Sequence, residues 1–178
     1  MLITISGLPG SGKTTVARLV ARELGLEHVY AGEIFRRQAE ERGIPLAEYL
    51  RMAETNDSID RDLDAHMRRR AAHGRAVLEG RLTAYIADQA GVPALKVFLD
   101  ASEDVRAERI AGREGGATAE RLREIQAREA SDRRRYLAIY GVDYHDRARY
   151  DLVMATDRQT PEELARAIVG ESRARFPG

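Results

Sequence analysis

The sequence predicts an α/β fold in a single domain, a five-stranded parallel sheet with helices on both faces. Three observations carry this reading. Short apolar, β-branched runs alternate along the chain with segments of helical periodicity. The first such run passes directly into a glycine-rich turn and then a helix. No repeat, low-complexity tract or linker interrupts the 178 residues, a length that suits one domain with a proper core.

The elements follow in order. The stretch LITIS, residues 2–6, is short, apolar and β-branched, hence a buried strand. Val16, Leu19, Val20 and Leu24 recur at helical spacing, and Gly25 ends that helix. EHVYA is a second short strand, and Ile34 and Phe35 begin a helix that stops near Gly43. Pro45 starts another helix. Ile59, Leu63 and Met67 stand four apart, so 57–72 is a helix capped near Asn56 or Asp57. RAVLEG and ALKVFLD are the third and fourth strands. Residues 102–112 and 119–140 are charged amphipathic helices broken by REGGAT, and YDLVMAT is the last strand. In TPEELARAIV, Thr160 is the N-cap, Pro161 the first helical residue and Glu163 the partner that closes a capping box.

Composition narrows the function classes. Hydrophobic residues make up 43% of the chain, and 29 basic residues balance 29 acidic ones. A net charge of zero implies no bulk attraction to nucleic acid or to a membrane surface. The absence of cysteine excludes disulfides, zinc–thiolate sites and a cysteine nucleophile, and fits a cytoplasmic protein. The first apolar run ends at Gly7, so neither a signal peptide nor a membrane span is expected. Among the basic residues only Lys13 and Lys96 are lysines, and the rest are arginines. Arginine is the better fork for phosphate oxygens, which makes the position of each one informative.

Residues 7–14, Gly-Leu-Pro-Gly-Ser-Gly-Lys-Thr, match G-x-x-x-x-G-K-[ST] between a strand and a helix. Glycines let the backbone wrap so that its N–H groups point inward at an anion. The helix N-terminus adds partial positive charge. Lys13 supplies a mobile charge for the β- and γ-phosphates, and the Thr14 hydroxyl a ligand for Mg²⁺. The chain is expected to bind a nucleoside triphosphate.

The arginines bear on what else it binds. Arg109 and Arg113 lie four apart on one helix face, just before a glycine-containing turn. Arg128 and Arg135 lie two turns apart, with Asp132 between them. Arg36 follows the second strand and Arg81 the third. Taken singly, each is at home on a solvated helix face. As a set they flank strand ends and the turn, where α/β proteins bind ligands.

On the stretches GLPGSGKTT, AGEIFR, VLEGR, ERIAGR, REASDRRRY and YDLVMAT the chain resembles the nucleoside monophosphate kinases, and among them the cytidylate kinases of the compact archaeal type. The resemblance covers nearly the whole chain. It implies the P-loop NTPase fold, a helical nucleotide-acceptor insertion at 36–72 and a short lid at 109–120. It implies phosphoryl transfer from ATP to CMP, with dCMP a further acceptor and Mg²⁺ as cofactor. ATP would lie on Gly7, Leu8, Pro9, Gly10, Ser11, Gly12, Lys13, Thr14 and Thr15, with Thr14 toward the metal. Lys13, Arg109, Arg113, Arg128 and Arg135 would carry catalysis. Arg36, Arg81, Arg128, Asp132 and Arg135 would hold CMP, with Arg81 and Asp132 reading the base. ATP and CMP would be the partners of a cytoplasmic monomer that engages neither nucleic acid nor membrane. Adenylate kinases usually carry an Asp-Gly-aromatic-Pro-Arg motif where this chain has Leu-Glu-Gly-Arg-Leu.

The chemistry is consistent with this without the name. A phosphate monoester dianion is already a nucleophile, so no catalytic base is required. Positioning, positive charge and exclusion of water suffice. Gly112, Gly115 and Gly116 would hinge the lid. Glu79 ends a strand at the cleft, where it could orient Arg81 or a Mg²⁺ water, or stand as a surface charge. The acidic stretch NDSIDRDLDAH fails as a calcium loop, because Ala65 and Ala71 occupy its sixth and twelfth positions, and reads as a helix surface. Histidines 28, 66, 73 and 145 have no metal-binding spacing. Adenylate kinase, a small-metabolite kinase acting on shikimate or gluconate, and an ATP-binding regulatory module without a small acceptor are the other readings.

Overall fold

The computed structural model of the protein describes residues 1–177. Five strands form one sheet: β1 (Leu2–Gly7), β2 (Glu27–Tyr30), β3 (Ala76–Glu79), β4 (Ala94–Asp100) and β5 (Leu152–Ala155). Their order is β2-β3-β1-β4-β5 and every neighbouring pair is parallel. Parallel neighbours require crossovers, and helices supply them. These are α1 (Lys13–Leu24), α2 (Ala31–Glu41), α3 (Leu46–Ala53), α4 (Asp57–Ala72), α5 (Thr83–Ala90), α6 (Glu103–Glu114), α7 (Thr118–Tyr140) and α8 (Pro161–Arg175).

The two-residue period of β1 divides the core. Ile3 and Ile5 face α1 and α8, in a cluster with Val16, Val20, Leu164 and Ile168. Leu2 faces the other way, into a cluster with Met67, Ile86, Phe98 and Tyr136 from the opposite helical layer. Ser6 is fully buried, and its hydroxyl bonds Thr83 Oγ1 at 2.9 Å, which satisfies both groups where α5 begins. The register Ile5 to Glu79 and Gly7 to Leu99 aligns the carboxyl ends of β3, β1 and β4 along one edge. The first crossover leaves from that edge through the glycine-rich turn.

Most of the expected elements are present. The capping box at α8 has both reciprocal bonds, with Pro161 at the start, and Asn56 caps α4 by accepting from Ser58 N. Helix α2 starts at Ala31, three residues before the apolar pair that announces it in the sequence. Helix α5 has no counterpart among the sequence-based expectations. Its eight residues are too few for a clear helical period, yet a crossover is needed there to bring the chain back for β4. Gly112 lies inside α6, while Gly115 and Gly116, at φ 78° and 88°, form the break between α6 and α7.

Candidate active site

The turn from Gly7 to Gly12 wraps between β1 and α1 with Gly10 at φ 81° and Gly12 at φ 87°, conformations that glycine reaches at little cost. Gly10 is also a close approach. A Cβ there would sit 2.7 Å from the Arg106 carbonyl oxygen. Within the loop the Ser11 hydroxyl is fully buried beside Gly7, on the side of the loop that faces β4. Lys13 Nζ donates to the Leu8 carbonyl at 2.6 Å. Burial, and after it the positive charge of Arg81, pushes the Lys13 ammonium down to about 7 from its ordinary 10.5.

The Thr14 hydroxyl donates to Glu79 Oε1 at 2.6 Å, and Glu79 Oε2 lies 2.8 Å from His28 Nε2. Glu79 is 1% exposed, so it is not a surface charge. It is committed to Thr14 and His28, and Arg81 finds a different carboxylate. A hydroxyl and a carboxylate side by side beneath a triphosphate loop are hard oxygen donors of the kind Mg²⁺ takes, so the residues fit that ion.

Across the sheet edge, arginines and carboxylates form a chain through three elements. Arg81 Nε lies 2.6 Å from Asp132 Oδ2. The other oxygen of Asp132 accepts from Arg135 NH2 at 3.1 Å, and Arg135 Nε donates to Asp60 Oδ2 at 2.9 Å. Asp60 and Asp132 are 2% and 4% exposed. Burial opposes the charge on Arg81 and on Arg135, but the facing carboxylates raise both guanidinium pKa values above the ordinary range. Arg128, one turn before Asp132 on α7, forms no ion pair among the described residues. The charge of Arg81, followed by burial, lowers its pKa. Lys13, Arg81 and Arg128 therefore come from three elements to crowd one mouth.

The remaining residues singled out from the sequence lie further out. Arg36 is exposed on α2, with its guanidinium 5.7 Å from the Tyr30 ring. Arg109 donates to the Thr156 hydroxyl at 2.9 Å and to its carbonyl at 2.6 Å, and Thr156 Oγ1 lies 3.2 Å from the Ser11 carbonyl oxygen. That places Arg109 beside the glycine-rich loop. Arg113 is exposed and pairs with its neighbour Glu114.

Two buried charged residues beside the site are not legible in the sequence. Asp60 was expected on a solvated helix surface, but it is buried against Arg135. Its place beside the Ile59, Leu63 and Met67 stripe of α4 was the available signal. Arg106 is 1% exposed. It donates to the Ala101 carbonyl at 3.1 Å and the Pro9 carbonyl at 3.2 Å, and pairs with Glu129 of α7. It stands four residues before Ile110, on the apolar side of α6, and it locks the loop to the helix that carries Arg128.

Residues 2–158 match the model of the cytidylate kinase-like family. The chain is 49% identical over 170 residues to a cytidylate kinase of Methanopyrus kandleri, covering 92% of this chain and 88% of that one. It is 44% identical over 162 residues to a cytidylate kinase of Pyrococcus horikoshii, at 91% and 83% coverage. Among solved structures, the shikimate kinase of Acinetobacter baumannii in complex with shikimate superposes with a TM-score of 0.62 over 99% of this chain and 95% of that one. At 16% identity that likeness shows the fold alone.

Proposed function

The chain belongs to the cytidylate kinase-like family, and on that premise we propose that it transfers the γ-phosphoryl group of ATP to the phosphate of CMP, and of dCMP as well. The observation that carries this reading is the proximity of Lys13, Arg81 and Arg128, whose mutual repulsion is the first cause of the lowered pKa of Arg128 and, after burial, of Lys13. Cations are crowded against their own repulsion where polyanions will offset it.

ATP lies in the loop from Gly7 to Thr15, its phosphates on the loop N–H groups and Lys13. Mg²⁺ would be held by Thr14, with Glu79 behind it, and would supply charge neutralisation for the phosphates. Arg36, Arg81, Arg128 and Arg135 receive the acceptor phosphate. The fixed carboxylates of Asp132 and Asp60 pre-set two of these arginines, so little reorganisation is left for the chemical step. The acceptor oxygen attacks the γ-phosphorus, the bond to the β-γ bridging oxygen breaks, and ADP leaves.

Residues 36–72 act as the acceptor-binding insertion and residues 109–120 as the lid. Gly115 and Gly116 give the lid its hinge, and Arg109 and Arg113 turn inward when it closes. Closure keeps water from the γ-phosphoryl group. The site is assembled from one chain, in keeping with a monomer, and the cysteine-free sequence is in keeping with the cytoplasm. No helix among the described residues is long and apolar enough to cross a membrane.

The test is a panel of CMP, dCMP, UMP, AMP, shikimate and gluconate, each with ATP and Mg²⁺, with products separated by chromatography. CDP formation that saturates with CMP, at a higher kcat/KM than any other ribonucleotide gives, is the expected result. ATP hydrolysis indifferent to every acceptor would overturn the reading.

A further inference from the structure

Tyr30 ends β2, and its ring folds forward over the first turn of α2. A Cβ at Gly32 would sit 2.6 Å from the ring carbon that bears the hydroxyl, and 2.6 Å from the hydroxyl oxygen. The ring therefore fills the space that a side chain at 32 would take. Gly32 and Arg36 lie four apart, on one face of the helix. The Arg36 guanidinium stands over the same ring, 5.7 Å from its centroid. Tyr30 also bears on the charge of Arg128, which puts the ring at the mouth that Arg128 helps to form.

The ring is itself held from behind. His28 and Tyr30 stand two apart on one face of β2, with ring planes within 6° of parallel and centroids 6.2 Å apart. His28 Nε2 lies 2.8 Å from Glu79 Oε2, and Glu79 is buried and bonded to Thr14. Arg36 thus ends a chain of contacts that starts at α1 and passes through β3 and β2. It is held differently from the other arginines of the site. Arg81 and Arg135 face carboxylates. Arg37, next in the chain, pairs with Glu41, but Arg36 forms no ion pair among the described residues.

An exposed arginine without a partner samples many rotamers and gives them up on binding a ligand. A carboxylate would hold it still, but would compete with a phosphate for the same N–H groups. An aromatic face attracts the cation through the ring quadrupole and leaves the N–H edge free. We propose that Tyr30 is a positioning residue for the acceptor phosphate: its ring holds the Arg36 guanidinium in place without neutralising it, and His28 holds the ring. The proposal rests on the kinase reading above and on Arg36 as a ligand of that phosphate.

The experiment is steady-state kinetics, with CMP and ATP varied in turn, on the wild type, Tyr30→Phe, Tyr30→Leu, Arg36→Ala and the double variant Tyr30→Leu with Arg36→Ala. Tyr30→Leu keeps apolar bulk and loses the aromatic face. It should raise the CMP KM by about threefold or more, the scale of one cation–aromatic contact, with ATP KM and kcat within about threefold of wild type. Tyr30→Phe keeps the face and should hold the CMP KM within about threefold. In the Arg36→Ala background the loss of the ring should add less than about twofold, because the group it holds is gone. A smaller rise in Tyr30→Leu, a matching rise in ATP KM, a defect in Tyr30→Phe as large as in Tyr30→Leu, or an effect that persists without Arg36 each overturns the proposal. If Tyr30→Leu does not fold, Gly32→Ala decides, since its Cβ must displace the ring. A CMP KM raised about threefold or more only when Arg36 is present supports the proposal, and any other result overturns it. A wild type that turns over no nucleoside monophosphate overturns the kinase reading and the proposal together, whereas an active wild type whose CMP KM ignores Tyr30 removes the proposal alone.

Discussion

Thr14 Oγ1 lies 2.6 Å from Glu79 Oε1, and through that bond the first turn of α1 is tied to the end of β3. Glu79 is buried, and His28 holds its second oxygen at 2.8 Å. The carboxylate is thus oriented from both sides before any metal arrives. Glu79→Gln keeps the shape and loses the charge. The Mg²⁺ concentration for half-maximal rate should rise about tenfold and kcat should fall by about 10². Metal titration of the rate checks this, and an unchanged Mg²⁺ dependence would separate Glu79 from the metal.

Lys13 titrates near 7 in the protein instead of its ordinary 10.5. Between those values the unfolded chain binds the extra proton, so the penalty of the buried ammonium, complete below about 7, is relieved as pH rises across that window. A triphosphate beside the ammonium favours the charged form. Nucleotide binding at pH 8.5 should therefore take up close to one proton, read as the slope of calorimetric enthalpy against buffer ionisation enthalpy. Lys13→Met should abolish the uptake and cost about 10² or more in turnover. Uptake that survives the substitution would place the titrating group elsewhere.

Asp132 bridges Arg81 and Arg135 with its two oxygens. An amide can face only one guanidinium with its oxygen and turns N–H toward the other. Asp132→Asn should lower kcat/KM by about 10²-fold for CMP and for UMP, the cost of misplacing two arginines by a fraction of an ångström. The diagnostic is the ratio between the two nucleotides, which should stay at its wild-type value.

Asp64 is desolvated, and burial raises its carboxyl to about 6 from an ordinary 3.8. Tyr140 and Arg68 counter this, Arg135 does so weakly, and Asp60 adds to it. The folded protein binds the extra proton between those values, so the group's penalty grows as pH rises through the window and is complete above 6. Asp64→Asn should stabilise the protein by about 1–2 kcal/mol at pH 7.5, some 2–8 °C in Tm. The gain should shrink at pH 5. A variant equally stabilised at both pH values would show that desolvation of the charge is not the cause.

What the sequence determined by itself was local and periodic. The glycine-rich loop was legible because eight residues in a row, Gly7 to Thr14, fix both backbone and chemistry. The five strands and the α8 capping box were legible because burial period and capping are properties of neighbours in the chain. The arginines could be enumerated but not assigned, since a guanidinium on a charged helix looks the same whether it meets water or a carboxylate from another element. Only the tertiary structure decided that Arg135 faces Asp60 across 75 residues, that Arg106 is buried against Pro9, and that Glu79 serves Thr14 instead of Arg81. It also decided that Asp64, on the same helix face as Asp60, is desolvated beside Tyr140 of α7. Each of these pairings joins residues far apart in the chain, and a crossover topology brings them together. Sequence spacing records which face of a helix a side chain occupies; what stands opposite that face is set by the packing of elements, and here that packing sets one acidic residue of α4 against an arginine and the next against a tyrosine.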